Sequence, residues 1–154
     1  YMPFVYEHPV YWQKIQEETK GSGDIERSTC LFIDSENARE HTEEEMIPVE
    51  NIKGRLFLVG AEDDSFWETG KYIRRMDERL KERPHTCEYV PLVYEHGTHF
   101  VLPESLLRKA LPVGLKFVMR FIFKAAKEYP NECEKTRKDI DRKLSAALKE
   151  WREE

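Results

Sequence analysis

Two polar clusters in this 154-residue chain contain the residue types that proton-transfer chemistry requires. Glu62-Asp63-Asp64 follows a short apolar run, and His96-Gly97-Thr98-His99 follows a second run that is rich in Tyr and Val. A carboxylate that accepts the Nδ1 proton of an imidazole fixes its tautomer and leaves Nε2 free as a base toward a nucleophile. The two clusters therefore indicate an acid and a base that could serve one active site, provided that the fold brings them together.

The segments around these clusters predict a strand, a helix and a second strand. Residues 54–60 form a short apolar run without polar alternation, which is typical of a parallel strand that is covered on both faces. The apolar spacing over Thr69–Glu82 predicts an amphipathic helix, and residues 87–94 predict the second strand. Such an order with short connections is that of a βαβ crossover. Because the carboxyl ends of parallel strands meet at one edge, we expect the acids and the histidines at the same edge.

Two more helices are expected after the histidine cluster, over residues 115–127 and 132–151. The first carries a cationic stripe, which predicts a core helix with a solvated edge rather than a helix lying on a membrane. The stripe consists of Lys116, Arg120 and Lys124. The buried stripe of the second helix is predicted to contain Ile140, Leu144, Ala147 or Leu148, and Trp151. The predicted fold class is thus α/β, with parallel strands and flanking helices.

The bulk composition argues against several classes of protein. Charged residues make up 36% of the chain, and the net charge of −5 lacks the basic stripe of a nucleic-acid-binding protein. No apolar run approaches the roughly 20 residues that a membrane-spanning helix needs. The three cysteines, Cys30, Cys87 and Cys133, form no CxxC pair, and no secretory signal opens the chain. We therefore expect a cytoplasmic protein with no bound metal or cofactor.

Three segments resemble one known family. They are Ile-Pro-Val-Glu-Asn-Ile-Lys-Gly over residues 47–54, Leu-Phe-Leu-Val-Gly over residues 56–60, and Asp-Asp-Ser-Phe-Trp over residues 63–67. Together they resemble the carboxyl-terminal α/β-hydrolase domain of the acyl-CoA thioesterase and bile acid-CoA:amino acid N-acyltransferase family. His99 and Pro103 keep the spacing of the histidine turn in that family. The likeness runs over residues 1–103 and is densest over residues 47–67.

The resemblance implies a domain organisation, an activity and the site residues. The chain would be the C-terminal part of one α/β-hydrolase domain, comprising a lid-like or connecting segment over residues 1–46, the strand-helix-strand unit over 47–103 and closing helices over 104–154. It would supply Asp64 as the acid of a Ser-His-Asp or Cys-His-Asp triad, with Asp63 as the alternative acid, and His99 as the general base. The implied substrate is a small acyl thioester or ester, whose acyl group is hydrolysed or transferred.

The nucleophile of such a triad has no recognisable counterpart in this sequence. Neither G-x-S-x-G nor G-x-C-x-G occurs, Gly21-Ser22-Gly23 lacks the flanking strand and helix of a nucleophile elbow, and Cys30 lacks flanking glycines. The first residue is also not Met. We therefore expect a fragment of a longer protein that is inactive by itself. The nucleophile-bearing half would be missing, and the exposed half-sheet would pair with that half or with another copy.

Two alternatives to the catalytic hypothesis stay open. A hydrolase-like module used for binding or assembly would also lack a nucleophile. His96 could instead join His99 and one of the two aspartates in a zinc site, since zinc accepts His and carboxylate ligands. The sequence specifies neither the acyl group nor the acceptor that receives it.

Overall fold

A computed structural model describes residues 42–153, together with Gln13 and Glu17. Most of the predicted lid-like segment, including Cys30 and the Gly21-Ser22-Gly23 stretch, lies outside the described residues. Two short 3₁₀ turns, Glu43–Glu45 and Val49–Asn51, come first in the range 42–153. They lead into a strand-helix-strand unit, which is followed by four helices.

The strand-helix-strand unit forms as the sequence predicts. Strand β1 covers Arg55–Ala61, helix α1 covers Thr69–Glu82 and strand β2 covers Glu88–Tyr94. The two strands are parallel, with Arg55 opposite Glu88 and Ala61 opposite Tyr94. The mixture of helices with a small parallel sheet is compatible with the predicted α/β class.

Helix α1 packs against one face of this sheet. Its buried residue Leu80 meets Val49 and Cys87, and Leu56 of β1 and Tyr89 of β2 pack against the same cluster. The approach is close at the carboxyl end of β1, where a Cβ on Gly60 would lie 2.8 Å from the backbone carbonyl carbon of Thr69. Glycine at this position therefore lets the first turn of α1 return directly over the end of β1.

The opposite face of the sheet receives the last helix, α5, which covers Pro130–Glu153. The hydroxyl of Tyr94, at the end of β2, donates to Asp139 of α5 at 2.8 Å. At the other end of the sheet, the guanidinium of Arg55 lies 5.7 Å from the centre of the Trp151 ring. Helix α5 therefore runs along the sheet from the carboxyl end of β2 toward the amino end of β1.

Coverage of β1 is less complete than the sequence predicts. Only Gly60 and Ala61 are buried, while the five preceding residues of the strand are half-buried. The sheet that the described residues form has two strands, so β1 has no strand neighbour on its other side within residues 42–153. The prediction from the absence of polar alternation was therefore correct for the strand itself, but it overestimated how far the strand is buried.

The region between β2 and α5 contains three short helices instead of the single predicted one. They are α2 (Glu104–Ala110), α3 (Leu115–Ile122) and α4 (Lys124–Glu128). The prediction of one helix over residues 115–127 is wrong because Phe123 is extended, with φ −115° and ψ 125°. This backbone turns the Phe123 ring into the core against Phe66 and Phe100, at centroid distances of 5.6 and 5.4 Å.

The exposed surface of the C-terminal helices also differs in part from the prediction. The cationic stripe of Lys116, Arg120 and Lys124 is exposed as expected, but Phe117 and Phe121 beside it are about three-quarters exposed. In α5 the predicted stripe is buried at Ile140 and half-buried at Leu144 and Trp151; of the alternatives Ala147 and Leu148, Ala147 is half-buried and Leu148 is exposed. No helix within residues 42–153 is both long enough and apolar enough to cross a membrane.

Candidate functional site

The carboxyl ends of β1 and β2 place the acidic cluster beside the histidine cluster, as the sequence predicts. Ala61 and Tyr94 are paired at the last position of the two strands. The N–H of Glu62 then donates to the carbonyl of Tyr94 at 2.8 Å, which extends the ladder by one step. The two loops that leave the strands therefore start side by side.

The first two acids of the loop after β1 do not touch His99. Glu62 is exposed and forms two hydrogen bonds with Arg74 of α1, one of them at 2.9 Å, and these hold the pKa of its carboxyl below the usual range. Asp63 is directed at the backbone of the histidine loop, where its Oδ1 accepts from the N–H groups of Gly97 at 2.9 Å and Thr98 at 2.8 Å.

The third acid, Asp64, lies against the imidazole of His99. Its Oδ1 and Oδ2 are each 3.1 Å from Nδ1 of His99. Because an ionised carboxylate has no proton to give, Nδ1 is the donor in this contact. The side chain of Asp64 is fully buried, whereas the imidazole retains about a quarter of its exposure. Of the two aspartates that the sequence left as candidates, the structure therefore brings Asp64 to the histidine.

Asp64 is itself held by three donors. Its Oδ1 accepts from the N–H groups of Phe66 at 3.0 Å and Trp67 at 3.1 Å, which closes a tight turn after β1. The hydroxyl of Thr69 donates to Oδ2 at 2.8 Å and accepts from the N–H of Ala61 at 3.1 Å. Thr69 thus links the strand end to the acid. The sequence predicts it only as the first residue of α1.

Aromatic rings surround the imidazole of His99. Phe66, Trp67 and Phe100 have ring centroids 5.2, 5.0 and 5.9 Å from its own. The rings of Trp67 and His99 are nearly perpendicular, and Trp67 is 44% exposed, so it lies at the rim of the site rather than in the core. Among the described residues, no hydrogen bond engages Nε2 of His99. Within residues 42–153, this nitrogen is therefore left without a partner.

His96 occupies a separate position on the same turn. Its ring stacks on Tyr129 with centroids 3.9 Å apart, and its Nδ1 lies 3.2 Å from Oδ2 of Asp63. The hydroxyl of Thr136 in α5 donates to the His96 carbonyl at 2.5 Å. Within residues 42–153, no three His, Cys, Asp or Glu side chains group as a metal site would require.

The cysteines of the described region are poorly suited to act as the nucleophile. Cys87 and Cys133 are both buried and free of disulfides. Burial, reinforced by the charge of nearby Asp63, raises the pKa of the Cys133 thiol to about 11. Since the thiolate is the nucleophilic form of cysteine, Cys133 is an inert core residue at neutral pH.

Comparison with known protein families decides the family of this chain. A family model described as the BAAT / acyl-CoA thioester hydrolase C-terminal region matches residues 6–105. The chain belongs to this family. Comparisons with curated proteins and with solved structures gave no match.

The match to the BAAT / acyl-CoA thioester hydrolase family confirms the resemblance drawn from residues 47–67. It spans the strand-helix-strand unit, the acidic loop and the histidine turn, and it ends at the second residue of α2. Helices α3, α4 and α5 lie beyond the matched residues. The part of the chain that carries Asp64 and His99 is therefore the part that the family shares.

Proposed function

We propose that this chain supplies the acid and the base of a Ser-His-Asp or Cys-His-Asp triad in an acyl-CoA thioesterase or acyltransferase of the α/β-hydrolase fold. The observation that carries the proposal is the pairing of buried Asp64 with Nδ1 of His99 while Nε2 is left without a partner among the described residues. This is the arrangement that a general base requires. Membership of the BAAT / acyl-CoA thioester hydrolase family supports an acyl thioester as the substrate.

In each half of the proposed reaction, Nε2 of His99 takes a proton from the attacking group and then gives it to the leaving group. Nε2 takes the proton of the nucleophile as its oxygen or sulfur attacks the thioester carbonyl, and Asp64 stabilises the resulting imidazolium. When the tetrahedral intermediate collapses, the carbon–sulfur bond breaks and Nε2 returns the proton to the departing thiolate of coenzyme A. Water or an amine then attacks the acyl-enzyme with the same assistance, which regenerates the nucleophile and releases the acid or the amide.

The nucleophile of this triad is proposed to lie outside the 154 residues. The sequence contains no nucleophile elbow, and the two cysteines of the described region are buried. An acid and a base without an attacking group leave the thioester intact, so the 154-residue chain alone should release no coenzyme A.

The proposal is tested in the product of the complete coding sequence, in which we propose that a nucleophile elbow precedes this chain. Release of coenzyme A from a series of acyl-CoA substrates is followed with a thiol reagent. His99→Ala should lower turnover by at least about 10⁴-fold. Asp64→Asn should lower turnover less but still heavily, because an amide at this position would favour the wrong tautomer of His99. His85→Ala is the matched control, since His85 contacts the Cys87 carbonyl at the other end of β2.

Retained turnover in His99→Ala would remove His99 from the mechanism. A damaging Asp63→Asn change with an active Asp64→Asn variant would move the acid by one position. The remaining hypothesis, a binding or assembly module, predicts no active-site labelling. A serine nucleophile would be labelled by a fluorophosphonate probe, and a cysteine nucleophile by iodoacetamide at a site that His99→Ala makes unreactive.

A further inference from the structure

We propose that Asp63 is a positioning residue for His99, because its carboxylate holds the histidine turn in the backbone conformation that presents the imidazole to Asp64. The inference deepens the proposed function and rests on it, since His99 matters as a base only in that reaction. Asp63 touches neither the imidazole of His99 nor any group that would react. Its contacts are with the turn that precedes the histidine.

The carboxylate of Asp63 accepts two consecutive backbone donors from this turn. Its Oδ1 receives the N–H of Gly97 at 2.9 Å and the N–H of Thr98 at 2.8 Å. Both residues are buried, so these N–H groups cannot turn to water if the carboxylate is removed. Asp63 therefore fixes the orientation of the two peptide groups that immediately precede Gly97 and Thr98 in the chain.

The turn needs such support because of Thr98. This residue has φ +62°, a left-handed conformation that a β-branched side chain rarely adopts. Thr98 is 0% exposed, and its hydroxyl accepts from the N–H of Phe100 at 3.2 Å. Since His99 follows directly, relaxation of Thr98 toward an extended φ would swing the Cα of His99 and carry the imidazole away from Asp64.

The contacts that Thr136 and Tyr129 make with the turn act on His96 rather than on Thr98, the strained residue. Thr136 donates to the His96 carbonyl, and Tyr129 stacks on the His96 ring. Neither contact satisfies the N–H groups of Gly97 and Thr98, which Asp63 does. Asp63 thus orients the backbone of the histidine turn, and Asp64 orients the imidazole ring of His99.

The test reads the tautomer of His99 in the full 154-residue chain by ¹⁵N NMR of the ring nitrogens. We expect wild type to show the Nδ1–H tautomer, because Nδ1 donates to Asp64. Asp63→Ala should shift His99 toward the mixture of free histidine, in which Nε2–H predominates. Asp63→Asn should keep the wild-type signature, since the amide oxygen can still accept both N–H groups.

Asp141→Ala is the matched control. Asp141 likewise accepts two hydrogen bonds from another segment, from the N–H and the hydroxyl of Ser105 at 3.2 and 2.7 Å, but it has no contact with the histidine turn. Its loss should leave the His99 tautomer unchanged. A merely structural role for Asp63 would make the two alanine variants behave alike, whereas the proposal requires them to differ.

Three outcomes would overturn the proposal. The first is an unchanged His99 tautomer in folded Asp63→Ala. The second is a tautomer shift in Asp63→Asn as large as that in Asp63→Ala, which would show that the charge of Asp63 rather than its hydrogen bonds positions His99. The third is an unfolded Asp63→Ala beside a folded Asp141→Ala, since Asp63 would then serve general stability. Failure of the proposed function is seen separately, as turnover that survives His99→Ala, and the tautomer measurement does not depend on it.

Discussion

Replacement of Glu104 by Leu should destabilise the chain strongly, because it removes the counter-ion of a buried arginine. Glu104 begins α2 and is 5% exposed, and Arg137 of α5 is 2% exposed. Oε2 of Glu104 accepts from Nε of Arg137 at 2.7 Å, which ties the two helices together. Arg137 follows Thr136, whose hydroxyl holds the histidine turn, so the ion pair also anchors the part of α5 that faces the site.

The expected loss is about 3–5 kcal/mol in the free energy of unfolding, which is typical when one partner of a buried pair is removed. A chain of this length shifts its melting temperature by roughly 2–4 °C per kcal/mol, so the midpoint should fall by roughly 6–20 °C. The double variant Glu104→Leu/Arg137→Met should recover most of this loss, because no unpaired charge is then left in the core. The exposed pair of Lys124 and Glu128 provides the control, since Glu128→Gln should change stability by no more than about 0.5 kcal/mol.

Urea unfolding followed by circular dichroism measures the three variants and the wild type under one set of conditions. A loss below about 1 kcal/mol in Glu104→Leu would refute the reasoning, because it would show that the Arg137 guanidinium finds water or another partner at little cost. A double variant as unstable as Glu104→Leu would refute it as well, since the damage would then come from lost packing rather than from the unpaired charge.

Further predictions concern the histidine turn, the acid response and the core thiol. Gly97→Ala should destabilise the chain by about 1–3 kcal/mol in urea unfolding, because the added Cβ would lie 2.5 Å from a methyl of Val101; unchanged stability would show that the turn can relax. The hydrogen bond from Lys116 contributes most to lowering the pKa of Glu134 from 4.5 to about 2. Its stabilisation is therefore present above about pH 4.5 and is lost as the pH falls toward about 2, so wild type should lose more stability than Glu134→Gln over this window. Iodoacetamide should modify Cys133 slowly in the native chain and rapidly in urea, as mass spectrometry can measure, because burial raises the pKa of its thiol to about 11.

The strand-helix-strand unit was predictable because its signals are local. Helix α1 begins and ends at the predicted residues, and both strands agree with the prediction to within one residue. Short apolar runs, one amphipathic period and a closing proline suffice to define these elements. Parallel pairing then follows from the short connections, so the sequence also placed the acids and histidines at one edge of the sheet.

The closing helices were less predictable because their boundaries depend on the core that they cover. Nothing in the sequence around Phe123 breaks a helix, yet its backbone is extended so that the ring can reach Phe66 and Phe100. Local propensity is a weak determinant where a large side chain can be buried by leaving the helix. At the end of α5 the sequence left Ala147 and Leu148 as alternatives, and only the packing of the helix on the sheet decided that Ala147 is half-buried while Leu148 is exposed.

The sequence by itself determined which residue types meet at this edge, and through its motifs it determined the family. Only the tertiary structure decided which partner each of the neighbouring acids binds. Asp63 accepts hydrogen bonds from the backbone of the turn, and Asp64 contacts the ring of His99. Adjacent residues on a loop differ little in sequence pattern, whereas their side chains leave the backbone in different directions. Which direction meets the imidazole depends on the turn after β1 and on the left-handed φ of Thr98. The second of these is held by a contact between segments far apart in the chain, the hydrogen bond from the N–H of Thr98 to Asp63.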